Sequence, residues 1–371
     1  MTPPVSVPIE LLRRFAPGTP LRTAAELIMQ QGTGALVLFG SGPHVDAVCT
    51  GGFVLEGAAY TAQRVAELAK MDGGIVVDDQ TAQILRANVH FMPDGSIETA
   101  ETGTRFRTAE RLSIQTGCPV LAVSEEGHLV AVVFSGNARF RLQSTTSLLD
   151  EANQRLQSLE RLRRQFDEAV ARLERYEVDD IVSNREVVGV IQRAAVLRLL
   201  AMELEPITAE LGDEAAVISL QAADLVSDVD FVAELVNIDY QERKPRRGTS
   251  VYTKLDTLDR DDLYDSSAIA SVLGFTPVDA PATPRGARVL AGVPRLPDSV
   301  ADELLKRFRS YSRLRTASVD ELDAVDGVGP LRAHTIRAYL DRLEEVGLRH
   351  RRWSHDPLIP VGDTIHHSDQ I

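Results

Sequence analysis

The run Glu101-Thr-Gly-Thr-Arg-Phe-Arg-Thr108 gathers a glycine, three threonine hydroxyls and two guanidinium groups just ahead of an amphipathic segment, Ala109 to Thr116. The periodicity predicts a helix over 109–116. Backbone N–H groups left unpaired at a helix start, at the positive end of its dipole, attract anions. Arg105 and Arg107 add fixed charge and forked donors that match phosphate oxygens. This chemistry suits a polyphosphate. Thr108 acting as a plain N-cap, with solvated arginines beside it, accounts for the same residues, so the run alone leaves both readings open. The second candidate is Met71-Asp-Gly-Gly74, which places one carboxylate in a sequence typical of a turn.

Residues 1–143 carry the pattern that would position these groups. Ala35–Phe39 is a short apolar run between Gly34 and Gly40, suited to a buried strand. Thr61–Met71 sets Val65, Leu68 and Ala69 on one helical face. Ile75–Val77 and Ile84–Val89 read as strands, as do Pro119–Ser124 and Leu129–Phe134, paired across Glu-Glu-Gly-His, and Ala138–Leu142. An α/β domain follows: a mixed sheet flanked by helices. From Ser147 the period changes to 3.6. Leu149, Ala152, Leu156, Leu159, Leu162, Phe166, Ala169 and Leu173 step by threes and fours through a charged segment, giving one amphipathic helix of roughly 40 Å. A spine packed on other helices fits better than a dimerising coiled coil, because Glu186–Glu205 and Ala215–Val236 continue the helical pattern to Tyr240. Gln241–Asp262, with Lys244-Pro245-Arg246-Arg247-Gly248, reads as a linker or loop.

Composition narrows the function classes. The chain has 371 residues, room for two or three domains. Two cysteines, Cys49 and Cys118, exclude a disulfide framework and read as inert buried thiols in a cytoplasmic protein. The N-terminus lacks a signal-peptide core, and charges interrupt every long apolar run, so no membrane association is expected. A net charge of −14 argues against wholesale coating of nucleic acid. Residues 285–353, however, hold 14 basic against 10 acidic side chains, a balance of +4 that leaves −18 for the rest. The final stretch from Ser354 reads as a disordered tail. His355, His366 and His367 in it have no convergent ligands, so no metal site is assigned there.

Within that basic segment, Ser318 and Glu321 form a capping box opening a short helix with Leu322 and Val325 on its apolar side. Gly327-Val328-Gly329 makes a tight turn, and Pro330 suits the start of the next helix, Leu331–Leu343. The pattern resembles the helix-hairpin-helix module, whose glycine turn brings backbone N–H groups to a DNA phosphate. An ordinary helical hairpin shares part of it. Arg332, His334 and Arg337 follow the turn and would reinforce phosphate contact, insensitive to sequence and sensitive to salt. Gly292-Val-Pro-Arg-Leu-Pro297, before a helix at Asp298–Phe308, reads as a degenerate first hairpin.

In order, Met71–Gly74, Gly103–Arg111 and the Gly327–Gly329 hairpin, with the helical spine between them, are similar to the DisA-type diadenylate cyclase family. The resemblance runs from about Val7 to Trp353 and includes Pro17–Leu21, Gly51-Gly-Phe53, Leu68–Asp72, Arg86–His90 and Gln115–Gly117. It implies a cyclase domain at 1–143, a helical spine at 144–285, a helix-hairpin-helix domain at 286–353 and a tail at 354–371. It also implies condensation of two ATP molecules into cyclic di-AMP and two pyrophosphates by a nucleotidyltransferase. Cyclase domains would meet face to face in a homo-oligomer, an octamer in the family, cytoplasmic and nucleoid-associated, with Mg²⁺ or Mn²⁺. Branched DNA at Gly327, Val328, Gly329 and Arg332 would modulate output. Asp72 would deprotonate the 3′-hydroxyl or hold the metal. Gly73 would allow close approach of the nucleotide, and Phe91 and Ser124 would line its pocket. Thr104, Arg105, Phe106, Arg107 and Thr108 would hold the phosphates, with Arg105 and Arg107 also catalytic.

Several positions depart from the family pattern. Gly74 stands where alanine is usual, and Phe106 replaces the histidine of Arg-His-Arg. Glu125 and Glu126 follow Ser124, where some members have arginines. Phe106 cannot donate to phosphate. The alternative is therefore a catalytically weakened or inactive nucleotide- and DNA-binding sensor. A repair nuclease ranks last, for want of a carboxylate cluster with metal-binding spacing.

Overall fold

A computed structural model describes residues 7–78, 80–125, 130–241 and 250–354. The chain divides into two compact units: residues 1–158 with 200–224, and residues 159–199 with 225–371.

The first unit is built on a mixed eight-stranded sheet. In chain order its elements are α1 (Ile9–Arg14), α2 (Pro20–Gln31), β1 (Ala35–Phe39), α3 (Pro43–Asp46), β2 (Cys49–Thr50), β3 (Phe53–Ala59), α4 (Ala62–Ala69), β4 (Gly74–Asp78), β5 (Gln83–Phe91), α5 (Thr104–Thr116), β6 (Val120–Val123), β7 (Ala131–Ser135) and β8 (Ala138–Arg141). The strand order is β2-β5-β4-β1-β6-β7-β8, with β3 added on β5. Among the described residues only the β1–β4 pair is parallel; α4 lies between those strands in sequence and makes the crossover. The period-2 alternation sorts the strands onto two cores. Val37, Phe39, Ile75, Val77, Leu121 and Val133 face α2 and α4, whereas Leu38, Val76, Val120, Ala122 and Phe134 pack with Ala109 and Leu112 of α5. Cores on both faces explain why β1, β4 and β6 read as continuous apolar runs.

Two helices follow that contribute to both units: α6 (Thr145–Asp179), 35 residues and about 52 Å long at about 1.5 Å per residue, and α7 (Asn184–Leu211). The stripe read from the sequence is covered along α6: Ala152, Leu156, Leu159, Phe166 and Leu173 are buried in the chain itself, as a spine requires. Further helices are α8 (Ala216–Val226), α9 (Val229–Tyr240), α10 (Val251–Leu255), α11 (Ser266–Leu273), α12 (Ala287–Ala291), α13 (Asp298–Phe308), α14 (Tyr311–Thr316), α15 (Val319–Asp323) and α16 (Gly329–Ser354). In the second unit Asp239 accepts N–H bonds from Gly286, Ala287 and Arg288, capping the start of α12. The Arg288 guanidinium bonds Glu177 of α6 at 2.5 Å, and Glu177 also accepts the Tyr240 hydroxyl. Burial outweighs the Arg288 charge and raises the pKa of both carboxyls. This buried knot ties spine to hairpin domain.

The structure corrects several expectations. Helix α5 starts at Thr104, not Ala109, so Thr108 is inside the helix and its hydroxyl donates back to the Thr104 carbonyl at 2.8 Å. The expected single helix over 215–236 breaks at Ser227–Asp228. The supposed loop 241–262 contains α10, with Val251, Tyr252 and Leu255 buried. The last helix opens at Gly329 and runs to Ser354, beyond Leu343. Both cysteines are half-buried rather than buried. Lys244–Gly248, Glu126 and the three tail histidines lie outside the described residues. Among those residues, no helix is long and apolar enough to cross a membrane.

Candidate active site and nucleic-acid interface

Helix α4 ends by returning Met71 and Asp72 N–H groups to the carbonyls of Leu68 and Ala69. Asp72 then takes a left-handed φ of 59°, which throws its carboxylate out with 81% of the side chain exposed. The next two glycines are clearance positions. A Cβ on Gly73 would fall within 3.0 Å of Asn88, which itself has a φ of 53° at the shift in the β4–β5 register. Gly52 meets the same bulge through the Ala87 and Asn88 carbonyls. Gly52 and Gly73 thus close on one bulge, Ala87–Asn88. Gly73 is accounted for by packing on Asn88. Gly74 is covered in turn by the ring of Phe91.

The start of α5 stands opposite Asp72. Gly103 is the extended N-cap, Arg107 N–H donates to its carbonyl at 2.9 Å, and the N–H groups of Thr104, Arg105 and Phe106 precede that first bond. Arg105 packs over Gly34, where a Cβ would collide with the guanidinium. One nitrogen, Nη2, lies 3.4 Å from Asp72 Oδ1 and 3.4 Å from Glu125 Oε2. Of the acidic pair after Ser124, Glu125 therefore reaches into the site and competes for Arg105. Arg107 and Thr104 are exposed. Phe106 turns inward, its ring centroid 6.4 Å from that of Phe134.

Phe106 and Ser124 share the wall of a cavity of about 410 Å³ with Glu101, Val132, Arg139 and Arg141. Ser124 N–H donates to the Val130 carbonyl at 2.8 Å, fixing that wall. Arg139 forms an ion pair with Glu101. The two β8 arginines are absent from the sequence reading, although the alternation Arg139-Phe140-Arg141 on a strand carried the signal: Val132 faces Arg141 and Phe134 faces Arg139. They stand beside residues of the α5 core, while Phe140 packs on Phe15 across the sheet. Gly34 and Asn88 gave no such signal, since their roles arise from approach of distant segments.

Among the described residues, no group of three or more His, Cys, Asp or Glu side chains converges. The exposed Asp72 carboxylate suits a hard divalent ion that uses one or two carboxylates plus substrate phosphates. Cys118 Sγ, just past the end of α5, lies 3.6 Å from His44 Nε2 on α3. Burial raises the Cys49 thiol pKa.

At the other end, the capping box is present in full: Glu321 N–H donates to Ser318 Oγ, and Glu321 accepts the Ser318 N–H at 2.8 Å. Leu322, Val325 and Val328 are buried beneath the turn. Gly327 and Gly329 have φ of 79° and 64°, which side chains resist. Arg332 Nη1 bonds the Gly327 carbonyl at 2.6 Å, bracing the turn. His334 is exposed. Arg337 is not available for phosphate: it bonds the carbonyls of Arg315 and Ala317 at 2.6 and 2.9 Å and pins α16 to the preceding helices. The degenerate first hairpin is real as geometry. Helices α12 and α13 flank it, Leu290 and Val293 are buried as Leu322 and Val325 are, and Arg295 takes a φ of 58° where the second turn has Gly327.

Comparison with known proteins accounts for both ends. Residues 22–138 match the model of the DisA bacterial checkpoint controller nucleotide-binding domain, residues 142–280 that of the DisA linker region, and residues 288–346 the helix-hairpin-helix motif. The DNA integrity scanning protein DisA of Kineococcus radiotolerans is 42% identical over 94% of this chain and 99% of its own length. Those of Parafrankia sp. and Streptomyces coelicolor are 41% and 40% identical, each over 92% of this chain, and over 96% and 92% of their own lengths. The α/β domain, the helical middle region and the glycine hairpin thus match three segments of one family in one order, and the chain is a member of the DisA family of diadenylate cyclases.

Proposed function

We propose that the chain condenses two ATP molecules into cyclic di-AMP and two pyrophosphates across a face-to-face pair of its cyclase domains, and that branched DNA at the C-terminal hairpins modulates this output. One observation carries the reading: Asp72 and Arg105, 33 positions apart, meet at the start of α5. The triphosphate lies along the Thr104–Thr108 turn, where N–H groups and Arg105 and Arg107 neutralise it. Ser124, Arg139 and Arg141 extend the polar wall. Asp72, largely exposed, faces the ribose of the nucleotide on the second copy and takes the proton of its 3′-hydroxyl. That oxygen bonds to the α-phosphorus of the first nucleotide, the bond from that phosphorus to the oxygen bridging to the β-phosphate breaks, and pyrophosphate leaves with the electron pair; the first nucleotide's 3′-hydroxyl, losing its proton likewise, then attacks the second nucleotide's α-phosphorus, and release of the second pyrophosphate closes the ring. Asp72, with the substrate phosphates, would hold Mg²⁺ or Mn²⁺, which would neutralise the developing charge. A half-site of this kind works only in a homo-oligomer, and an octamer fits the family. Gly327, Val328, Gly329 and Arg332 form the DNA contact in a cytoplasmic, nucleoid-associated protein.

Purified chain incubated with ATP and Mg²⁺ or Mn²⁺ should give cyclic di-AMP by chromatography, and Asp72→Asn should stop it. No product above that variant's background would refute the reading. Phe106 favours a second one, a nucleotide- and DNA-binding sensor with weakened catalysis, because an apolar ring packed near Phe134 offers phosphate nothing. A large gain of activity in Phe106→His would establish that impairment.

A further inference from the structure

Arg22 and Glu210 are charged yet only 2% and 7% exposed. Burying such groups loses solvation that an ion pair offsets only with good geometry. Here the geometry is poor: Arg22 Nη1 lies 3.9 Å from Glu210 and, among the described residues, has no hydrogen-bond partner. An apolar pair of similar volume would fill the same space at least as stably, so fold stability does not explain the two charges. What they hold is one stretch of backbone. Arg22 Nη2 donates to the Gln143 carbonyl, and the Gln143 N–H donates to Glu210 Oε1 at 3.4 Å. Arg22 Nε bonds Glu26 at 2.7 Å, which fixes the guanidinium along α2. Gln143 is where the chain leaves the sheet. β8 ends at Arg141 and is an edge strand, laddered among the described residues to β7 alone. The Leu142 N–H still bonds the Ala131 carbonyl at 2.9 Å, and α6 begins at Thr145. Side chains from α2 and α7 thus take over the backbone groups where the ladder stops, two residues past Arg141. Phe140 and Arg141 line both a cavity of about 720 Å³ beside Arg22 and Glu210 and the cavity of about 410 Å³ that holds Phe106 and Ser124. The end of β8 is the wall between them.

We propose that Arg22 and Glu210 are positioning residues for the nucleotide site: by gripping both backbone groups of Gln143 they fix the end of β8, and with it the places of Arg139 and Arg141 beside the triphosphate. The proposal rests on the nucleotide reading given above. A strand laddered on one side only can tilt about that ladder, and a displacement on the order of 1 Å in a binding group can cost up to about a hundredfold. Neither Arg22 nor Glu210 touches the nucleotide; each acts through the backbone that carries the β8 arginines.

Calorimetry with 3′-deoxy-ATP, which lacks the attacking hydroxyl, tests this on the full chain, with the thermal midpoint of each nucleotide-free protein. Glu210→Met fills the space without an acceptor and should weaken binding about fivefold, as a modest misplacement of two binding groups implies. Glu210→Gln keeps an oxygen for the Gln143 N–H and should bind within about twofold of wild type. Replacing Arg139 and Arg141 together by alanine should weaken binding about tenfold, through loss of charge-assisted bonds. In that background Glu210→Met should change binding by less than about 1.5-fold, because residues acting through one set of contacts do not add. Arg22→Met makes the same comparison from the carbonyl side if Glu210→Met does not fold. A merely structural pair would shift the thermal midpoints and leave the effect of Glu210→Met on binding the same with or without the arginines. Glu210→Met binding as wild type, Glu210→Gln as impaired as Glu210→Met, or a loss that persists without the arginines would each overturn the proposal. So would wild-type affinity after loss of both arginines, which would remove β8 from the nucleotide. In all these cases wild-type binding keeps the nucleotide reading intact; wild-type protein that bound no nucleotide would overturn both.

Discussion

Glu125 is the clearest place to perturb the site without disturbing the fold. Its carboxylate is 60% exposed and shares Arg105 Nη2 with Asp72, each at 3.4 Å. A triphosphate that needs Arg105 must displace this contact and also approach the Glu125 charge. Glu125→Gln keeps the shape and removes the charge. The distance is long and the carboxylate solvated, so the pair is worth about 0.2–1 kcal/mol, the range measured for exposed ion pairs. Converted at 1.4 kcal/mol per tenfold, the variant should bind ATP about one and a half to five times more tightly. Titration calorimetry with a non-cyclising ATP analogue at low ionic strength reads this directly. The gain should shrink at about 1 M salt, where the screening length falls to about 3 Å. Unchanged or weaker binding at low salt would refute the view that Glu125 holds Arg105 from the substrate.

Gly34→Ala should push the Arg105 guanidinium from its seat and cost about a hundredfold in turnover, as small misplacements of a binding group do, while the thermal midpoint hardly moves; equal turnover would show that Arg105 needs no such seat. Asp239→Ala uncaps α12 by leaving the Gly286, Ala287 and Arg288 N–H groups without their acceptor, while Arg288 keeps Glu177, so urea unfolding should report a loss of about 1–3 kcal/mol, and a loss under about 0.5 kcal/mol would contradict the buried knot. Burial raises the Glu210 pKa above 4.5 despite the Gln143 N–H and Arg22. Its favourable contribution is therefore complete below that value and is lost as pH rises through the raised one. Glu210→Gln should gain stability relative to wild type across that rise, and parallel stability–pH curves would exclude it.

Much of this was legible because local and global signals agreed. The alternation in β1, β4 and β6, the threes and fours of α6, and the Ser318–Glu321 box each fix an element from neighbouring residues alone. The errors have physical causes. Thr104–Thr108 contains no apolar period, so nothing local announced that α5 begins there; the helix is held instead by Arg105 over Gly34 and by Arg111, which bonds the Ile97 carbonyl at 2.8 Å. Helix α10 is too short for a period to emerge and is defined by burial of Val251, Tyr252 and Leu255. At the site, residue types pointed to Asp72 and the arginines. Gly73 and Gly74 read as turn or close-approach signals, and Gly52 only as part of the resemblance, yet each is required by contact with β5 residues 15 to 36 positions away. Arg337 looked like a phosphate contact because its charge is visible in sequence, and its acceptors, two backbone carbonyls, are not.

The central claim is that two ATP molecules are joined head to tail with both pyrophosphates released. Phosphorus NMR of purified chain with ATP and Mg²⁺ follows every phosphate at once. The account predicts one symmetric phosphodiester signal growing with two pyrophosphates for each cyclic product, and neither in Asp72→Asn. Release of inorganic phosphate with ADP, or an unchanged ATP spectrum, would contradict it.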